Sequence, residues 1–236
     1  MMLSQEESLL KSMQRRLSWI CKKMKSKTIR FWENVEENPP KSYKEFFEEE
    51  RKFLLKHIPQ NCILLDVGCG DGRNLGFFSS ICKKVFGIDN DKYSIKKSKE
   101  IACTLKNVEV TLEDAEKTHF NDKTFDIIAI IGTFCNLGKT KQKVLLEMKR
   151  VLKDNGFLII TIYNENALKE RLKIYNKYNF KKFVHKGNGT IIINNIISEQ
   201  FSKEQIGEIL NTAGFKIIDI FKGSIFYLIK SKKRLN

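Results

Sequence analysis

A turn with three glycines at alternate positions most constrains the fold of this chain. The largely apolar segment Ile63–Val67 precedes it, and Gly68, Gly70 and Gly72 follow directly. Glycine permits positive φ angles and close backbone approach, so this pattern predicts a buried strand that turns sharply into a helix. Such a turn presents N–H groups at a helix N-terminus, where a polar ligand can bind. Because tight turns also need glycine for structural reasons, the turn alone does not assign a function.

Three downstream segments favour a nucleoside-binding site. The second strand candidate, Val85–Asp89, ends in a carboxylate about twenty residues after the glycines, the spacing that reaches ribose hydroxyls in Rossmann-type sites. A third candidate, Val108–Leu112, is followed by acidic residues that can accept from an adenine amine. The continuous apolar run 125–131 is typical of a central parallel strand covered on both faces. Together these segments predict a parallel sheet that binds a nucleoside.

The acidic residues around the turn discriminate between nucleoside ligands. The dinucleotide fingerprint is GxGxxG, whereas this chain has GxGxG with Asp66 before it and Asp71 within it. These carboxylates would repel a pyrophosphate but not a sulfonium carried on an amino acid. Over about residues 60–230 the chain resembles the class I S-adenosylmethionine-dependent methyltransferases. The matching motifs are DVGCGDG (66–72), GIDND (87–91), EDAEKTHF (113–120), FDIIAIIGTFCNL (125–137) and EMKRVLKDNGFLIITIYN (147–164).

The resemblance implies a fold, a cofactor and a reaction. The fold is a single Rossmann-like α/β domain with a doubly wound sheet of seven strands. This sheet is mostly parallel with its last strand antiparallel, and N-terminal helices and a lid insertion are added to it. The cofactor is S-adenosylmethionine, whose methyl group is transferred directly to an acceptor, and no metal is required.

The resemblance also implies which residues bind the methyl donor. Gly68, Gly70 and Gly72 would let the backbone pass close to the methionine part, Asp66 would orient its ammonium, and Asp89 would bind the ribose hydroxyls. The other implied positions are Cys69 and Asp71 for main-chain contacts to the methionine part, Asn90 beside the ribose, Asp114 and Ala115 at the adenine, and Gly132, Thr133 and Phe134 at the reactive end.

Length and composition agree with one globular domain. The chain has 236 residues, enough for a sizeable core. No apolar run approaches the ~20 residues that cross a bilayer, and the N-terminus lacks a compact apolar signal segment, so we expect a cytoplasmic protein. The six cysteines form no CxxC pair and are typical of reduced, buried thiols rather than a zinc site or disulfides. The oligomeric state stays open.

The N-terminal segment combines a basic face with an apolar stripe. The formal net charge is +15, and no acidic residue occurs between Glu7 and Glu33. Apolar residues between Leu9 and Met24 recur at helical spacing and predict an amphipathic helix. It is either a docking arm for RNA or lipid or an accessory helix with a solvated basic face. Since few aromatics are interleaved, we favour the accessory helix.

We predict an N-terminal helical extension over residues 1–58 and a methyltransferase domain over 59–236. Trp32, Tyr43 or Phe47 can wall the site, since aromatic faces suit a sulfonium, or can belong to the core. Residues 164–200 follow the fifth strand, so we expect this insertion to overhang the mouth of the sheet as a substrate lid.

Three local predictions concern the second half of the chain. Residues 154–156 are expected to form a turn before a fifth strand over 157–163. Within the insertion, segments 183–185 and 189–197 are expected to pair as a hairpin. A helix over 202–213 is expected to begin with a capping box.

The acceptor side of the site offers fewer signals. Families that methylate amine or amide nitrogens often carry an NPPY-like motif after the fourth strand, and this chain has Thr-Phe-Cys-Asn at 133–136 instead. Asn136 and Tyr163 lie at the predicted mouth. His185 suits a general base if it turns inward, because its unperturbed pKa is ~6.5. His119 is a comparable candidate, although a surface loop position explains either histidine.

Three functions therefore remain open from the sequence. The first is a small-molecule methyltransferase with a closed lid. The second is an RNA or protein methyltransferase that docks through its basic N-terminal helix. The third is a binding module for S-adenosylmethionine without catalysis. The first is the leading hypothesis and the second is the runner-up. The intact glycine and acidic positions argue against the third, although they report donor binding only.

Overall fold

The computed structural model describes residues 35, 38–177, 183–193 and 196–234. The basic helix predicted within residues 1–30 lies outside the described residues, and so does Trp32. Residues 39–236 form one compact unit. Within the described ranges, no helix combines the length and the apolar character needed to cross a membrane.

The described residues form six α-helices and ten strands that alternate over much of the chain. The helices are α1 (Lys41–His57), α2 (Leu75–Ile81), α3 (Lys92–Ala102), α4 (Lys141–Val151), α5 (Leu168–Lys177) and α6 (Lys203–Thr212). The strands are β1 (Ile63–Val67), β2 (Lys84–Asp89), β3 (Val108–Leu112), β4 (Phe125–Ile130), β5 (Leu152–Tyr163), β6 (Phe183–Lys186), β7 (Thr190–Ile193), β8 (Ile196–Ser198), β9 (Phe215–Lys222) and β10 (Phe226–Lys233).

The main sheet has seven strands in the order β3-β2-β1-β4-β5-β10-β9. Neighbouring strands from β3 to β5 pair in parallel, and β10 is antiparallel to both β5 and β9. β1 and β4 lie at the centre and are buried along almost their whole length, as expected of strands covered on both faces. The predicted fold is confirmed, including the antiparallel strand beside the fifth.

The fifth strand differs from the prediction. Instead of a turn at 154–156, β5 extends from Leu152 to Tyr163. Its pairing with β4 is interrupted, because Phe125 pairs with Leu152 whereas Ile127 pairs with Phe157. The four residues between these pairs lie opposite one residue of β4 and shift the register, at a sequence that favours a turn.

The insertion contains a small antiparallel sheet of its own. Strands β6, β7 and β8 pair in that order, so three strands stand where a two-stranded hairpin was expected. The sheet contacts the segment after β4, since the Glu199 amide donates to the Cys135 carbonyl at 2.9 Å. Lys141 forms an ion pair with Glu199 at the same interface. The insertion is therefore fixed against the carboxyl ends of β4 and β5.

The first and last described helices, α1 and α6, have well-defined local interactions. α6 begins with the predicted capping box, in which Ser202 and Gln205 bond reciprocally. α1 packs against β10, with the Phe46 and Phe226 ring centroids 4.7 Å apart. α1 therefore lies beside β5 and β10, and several of its side chains reach the carboxyl edge of the sheet.

The glycine turn has the positive φ angles that its sequence predicts. Gly68 and Gly70 have φ of 72° and 58°. A Cβ at Gly68 would lie 2.3 Å from Thr133 Oγ1 and 2.8 Å from Thr133 Cβ, whereas nothing lies within 4 Å of a Cβ at Gly70. The segment after β4 therefore crosses the turn at Gly68.

We predict that Gly68→Ala destabilises the protein much more than Gly70→Ala. Both variants require a left-handed alanine, which costs about 1 kcal/mol. Gly68→Ala adds an overlap with the Thr133 Cβ that no rotamer relieves, so we expect a total loss of about 3 kcal/mol. Urea unfolding of both variants measures the difference. Equal losses would contradict the close crossing of Thr133.

Candidate functional site

The glycine turn is attached to the ends of β2 and β4. The amides of Gly68 and Cys69 both donate to the Ile88 carbonyl, at 2.8 Å and 3.0 Å. On the other side, the Thr133 hydroxyl donates to the Gly68 carbonyl at 3.2 Å. The turn is thereby held in one position relative to its neighbouring strands. Since the Cys69 amide is used within the protein, its predicted main-chain contact to the donor would have to involve another group.

Asp89 at the end of β2 is oriented by two main-chain amides. Its carboxylate accepts from Gly70 at 3.0 Å and from Asp91 at 2.8 Å. Burial raises the pKa of this carboxyl, and the two amides oppose the rise. Asn90, beside it, is exposed. The side chain is thus aimed before any ligand arrives, as a ribose-binding carboxylate would need to be.

The loop after β3 is attached to the same edge. The Glu113 amide donates to the Asp89 carbonyl at 3.0 Å, which brings Asp114 and Ala115 beside the end of β2. Asp114 is exposed and accepts from the Glu116 amide at 2.9 Å, and Ala115 packs against the core. The predicted ribose and adenine positions therefore occupy adjacent loops.

Asp66, near the end of β1, is a buried carboxyl at the centre of the sheet. It is 2% exposed and lies between Gly87 of β2 and Ala129 of β4. Burial raises its pKa to about 7, against the opposing effect of Arg73. A cation bound nearby would favour the charged carboxylate.

Glu50 is a buried carboxyl near Asp66 that the sequence analysis did not name as a candidate. It projects from α1, is 2% exposed and forms an ion pair with Arg73 at 3.1 Å. Burial raises its pKa, and Arg73 opposes the rise. Glu50 stands in a run of glutamates, and only the helical phase that it shares with Tyr43, Phe46 and Phe53 identifies it as buried.

The segment after β4 approaches β5 through a threonine. The Gly132 amide donates to the Thr161 hydroxyl at 2.8 Å, and Gly132 has a φ of 69°. Thr133 is partly buried, whereas Phe134 is fully buried, with its ring centroid 5.9 Å from that of Phe201. Of the three residues predicted at the reactive end, Gly132 and Thr133 thus keep some exposure.

A second cluster lies at the end of β5, where α1 and the insertion meet. The hydroxyls of Tyr43 and Tyr163 are 3.0 Å apart. The Arg171 guanidinium, from α5, lies 4.7 Å from the centre of the Tyr163 ring. Burial raises the pKa values of both tyrosines, so both remain protonated phenols. Of the aromatic residues predicted to wall the site, Tyr43 lies here, and Phe47 instead faces Arg73.

The remaining candidates for the acceptor side differ in how exposed they are. Asn136 is partly buried in a 3-10 turn after β4. His185 is exposed on β6, so the inward orientation that a base requires is not seen. His119 is exposed and pairs with Glu113. Cys135 is buried, and burial raises its pKa to about 11, which leaves it a thiol rather than a thiolate nucleophile.

The charges around the glycine turn fit a cationic ligand. The buried or partly buried carboxyls of Glu50, Asp66 and Asp89 approach this region. Arg73 acts on Glu50 and Asp66, and Arg51 acts on Glu50. Buried charges of one sign are costly unless a partner of the other sign is bound. No cluster of metal-binding side chains occurs in the described part of the chain. A ligand with a sulfonium and an ammonium would supply the missing positive charge.

Comparisons with known proteins place the chain among methyltransferases. A family model described as a methyltransferase domain matches residues 65–160. An uncharacterized protein of Methanocaldococcus jannaschii is 31% identical over 188 residues, 75% of this chain and 70% of that protein. A tRNA (carboxymethyluridine(34)-5-O)-methyltransferase of Arabidopsis thaliana is 30% identical over 112 residues, 47% of this chain and 26% of that protein. A SAM-dependent methyltransferase structure from Aquifex aeolicus has a TM-score of 0.61 at 25% identity, covering 84% of this chain and 96% of that one.

The burial of Asp66 predicts a stability that depends on pH. Its folded pKa of about 7 lies above the unfolded value near 3.8, so the folded state binds the proton more tightly. The favourable contribution is complete below about pH 4 and is lost as the pH rises through 7. At pH 8 we expect Asp66→Asn to unfold at higher urea than the unaltered protein, by on the order of 3 kcal/mol. At pH 5 the difference should be much smaller. Equal stability at pH 8 would contradict the raised pKa.

Proposed function

Because this chain belongs to the class I S-adenosylmethionine-dependent methyltransferases, we propose that it transfers the methyl group of that donor to a small-molecule acceptor. The matching methyltransferase domain model and the similar proteins named as methyltransferases support an enzyme over the non-catalytic binding module considered from the sequence. One observation carries the choice of a small acceptor. The end of β5 is enclosed from two sides, by Tyr43 of α1 and by Arg171 of the insertion.

The donor would bind along the carboxyl edge of β1, β2 and β3. Asp89, held by the Gly70 and Asp91 amides, would accept from the ribose hydroxyls. Asp66 and Glu50 would face the positively charged methionine part, and their burial makes that attraction strong. Asp114 and Ala115 would lie at the adenine. The acidic excess of this region supports these assignments.

The donor supplies an activated methyl group, so the residues of this chain mainly orient and desolvate the reactants. Well-oriented reactants gain the equivalent of ~7–11 kcal/mol in effective concentration. Gly132 and Thr133 would stand on one side of the transferred group, and Tyr163 on the other. The insertion and α1 would exclude water from the nucleophile. Tyr43 and Tyr163 would contribute hydroxyl hydrogen bonds as phenols, since burial raises both pKa values.

An RNA acceptor is the second candidate, and one surface feature favours it. A cavity of about 800 Å³ is lined by Asp154, Asn155, Phe157, Lys216, Lys232, Lys233 and Arg234. It lies where β5 begins, roughly 20 Å from the mouth at the end of that strand. Lysine and arginine residues so clustered attract phosphate backbones. A relative of this chain is named for methylation of a tRNA.

We predict that Asp89→Asn weakens binding of S-adenosylmethionine about tenfold, because an amide accepts less strongly from the ribose hydroxyls. Isothermal titration calorimetry measures this affinity. Asp91→Asn is the matched control, since Asp91 caps α3 by accepting from the Ser94 amide at 2.8 Å. The control should lower the unfolding temperature slightly and leave donor affinity unchanged. No heat of binding with the unaltered protein would refute the donor assignment.

A salt titration of RNA binding separates the two acceptor classes. A small-molecule methyltransferase should bind a labelled tRNA weakly at physiological salt, with no dependence on Lys216 or Lys232. We expect the double variant Lys216→Glu/Lys232→Glu to retain methyl transfer to a protein-free, nucleic-acid-free metabolite filtrate. A steep salt dependence that this variant abolishes, together with methyl transfer to the tRNA, would instead establish the RNA alternative.

A further inference from the structure

Two cysteines that flank the unit formed by β1, the glycine turn and α2 have their sulfur atoms in contact. Cys62 lies directly before β1 and Cys82 directly after α2, and their Sγ atoms are 3.3 Å apart. Both are free thiols in the structure. A bond between these sulfurs would close a loop around the part of the chain that carries the glycine turn.

The backbones at the two cysteines are held side by side. The Asn61 amide donates to the Ile81 carbonyl at 3.0 Å, and the Lys83 amide donates to the Cys62 carbonyl at 2.9 Å. Neighbouring strands lie about 4.8 Å apart, which is within the Cα separation of about 4.4–6.8 Å that disulfides span. The S–S bond is about 2.05 Å long, so the two Sγ atoms would have to approach by only about 1.2 Å. Rotation of the two side chains is enough for such a displacement.

The surroundings of Cys62 favour its thiolate. Asp126 accepts from the Ile63 amide at 2.9 Å and from Lys153 at 2.8 Å, which brings the lysine close to this cysteine. The hydrogen bond from Cys82 lowers the pKa of Cys62, and Lys153 acts in the same direction, whereas burial and Asp126 oppose them. The same hydrogen bond and burial raise the pKa of Cys82. The pair therefore has one sulfur that ionises first and one that keeps its proton.

The other described cysteines have different surroundings. Cys69 and Cys135 are buried, and burial raises the pKa of both thiols. Cys103 is exposed after α3, where its thiol donates to the Glu100 carbonyl at 3.2 Å. Oxidants react with the thiolate rather than the thiol. Cys62 combines thiolate character with a second thiol at contact distance, so its oxidation has a ready second step.

The pair lies one residue below the surface. Cys62 and Cys82 are 4% and 5% exposed, and each is next in sequence to an exposed residue, Asn61 and Lys83. So small an opening excludes a bulky disulfide such as oxidised glutathione. Hydrogen peroxide is close to water in size, and it is therefore the class of oxidant that fits this position.

We propose that Cys62 and Cys82 are a reversible redox pair, which hydrogen peroxide converts to a disulfide that joins the start of β1 to the end of α2. The inference goes beyond the proposed function and does not depend on it. The Cys62 thiolate attacks one peroxide oxygen, the O–O bond breaks, and the released hydroxide takes up a proton to become water. Cys62 is then a sulfenic acid.

The second step joins the two side chains. The sulfur of Cys82 attacks the sulfur of Cys62, the S–O bond breaks, and the oxygen leaves as water with the proton of the Cys82 thiol. Two thiols are oxidised to one disulfide, and one peroxide is reduced to two waters. A dithiol reductant reverses the reaction by thiol–disulfide exchange and restores both cysteines.

The disulfide would act mainly on the unfolded chain. The closed loop has about twenty residues and includes Gly68, Gly70 and Gly72, which give the unfolded segment much conformational freedom. Restricting that freedom stabilises the folded state, so we expect a rise in Tm of about 5–10 °C. The pair lies at the opposite end of β1 from the glycine turn, roughly 20 Å away, so donor affinity should not change.

Peptide mapping of the unaltered full-length protein tests the bond directly. The protein is treated with hydrogen peroxide, its remaining thiols are blocked with N-ethylmaleimide, and it is digested with trypsin. We expect the peptide 57–73 to be linked to the peptide 74–83 through Cys62 and Cys82, with Cys69 carrying the maleimide. Dithiothreitol should separate the peptides, and calorimetry should show the rise in Tm before reduction and its loss afterwards.

Three variants assign the roles of the sulfurs, with Tm compared before and after peroxide within each variant. Cys62→Ser should show no rise in Tm. Cys82→Ser should stop at the sulfenic acid, so dimedone should label Cys62 in this variant and not in the unaltered protein. Cys103→Ser is the matched control, because it removes an exposed thiol outside the pair, and it should keep the full rise in Tm.

Several results would overturn the proposal. They are maleimide on both Cys62 and Cys82 after peroxide, further oxidation of Cys62 without a link, a link from Cys62 to another cysteine, and a lower Tm in the linked protein. An equal rise in Tm in Cys62→Ser would also overturn it. If the serine variants do not fold, the peptide map and the Tm of the unaltered protein still decide.

Discussion

The burial of acidic side chains at the C-terminal ends of the parallel strands is the constraint on which the rest of this structure depends. Asp66 lies on β1, one of the two central strands, and its side chain is almost completely shielded from solvent. Asp89 and Glu50 act on Asp66 as like charges, whereas Arg73 pairs with Glu50 and opposes the rise in the pKa of Asp66. This burial lowers the stability of the free protein, and under the proposed function a positively charged donor would offset that loss on binding.

A helix and a strand join the proposed donor region to the proposed acceptor region. Tyr43 and Glu50 are seven residues apart on α1, so they lie on one face, two turns from each other. Thr161 and Tyr163 are two residues apart on β5, so their side chains lie on the same face of the sheet. Thr161 faces the segment with Gly132, and Tyr163 faces Tyr43 and Arg171. Tyr43 and Glu50 are held at a fixed spacing by the helix, so a movement of α1 would displace a side chain in each region at the same time.

The sequence predicted the parts of this structure that are encoded locally. The glycine turn, the apolar strands, the Ser202 capping box and the carboxylates at strand ends all follow from short-range patterns, and the seven-stranded fold is confirmed. The turn predicted at 154–156 is wrong, because pairing with the neighbouring strands extends β5 back to Leu152. The helical phase of α1 indicates that Glu50 is buried, but its approach to Asp66 and the burial of Arg171 depend on elements distant in sequence. The assignments of the donor residues stay predictions until a ligand is measured.

The position of β10 has a consequence for the order in which the protein is made. β10 follows β9 in the chain but lies between β5 and β9 in the sheet, so the hydrogen-bonding edge of β5 stays open until residues 226–233 have left the ribosome. An apolar strand with an open edge is prone to pair with other chains. β10 therefore closes this edge of β5. A premature stop codon before Phe226 would yield a nascent polypeptide dependent on chaperones.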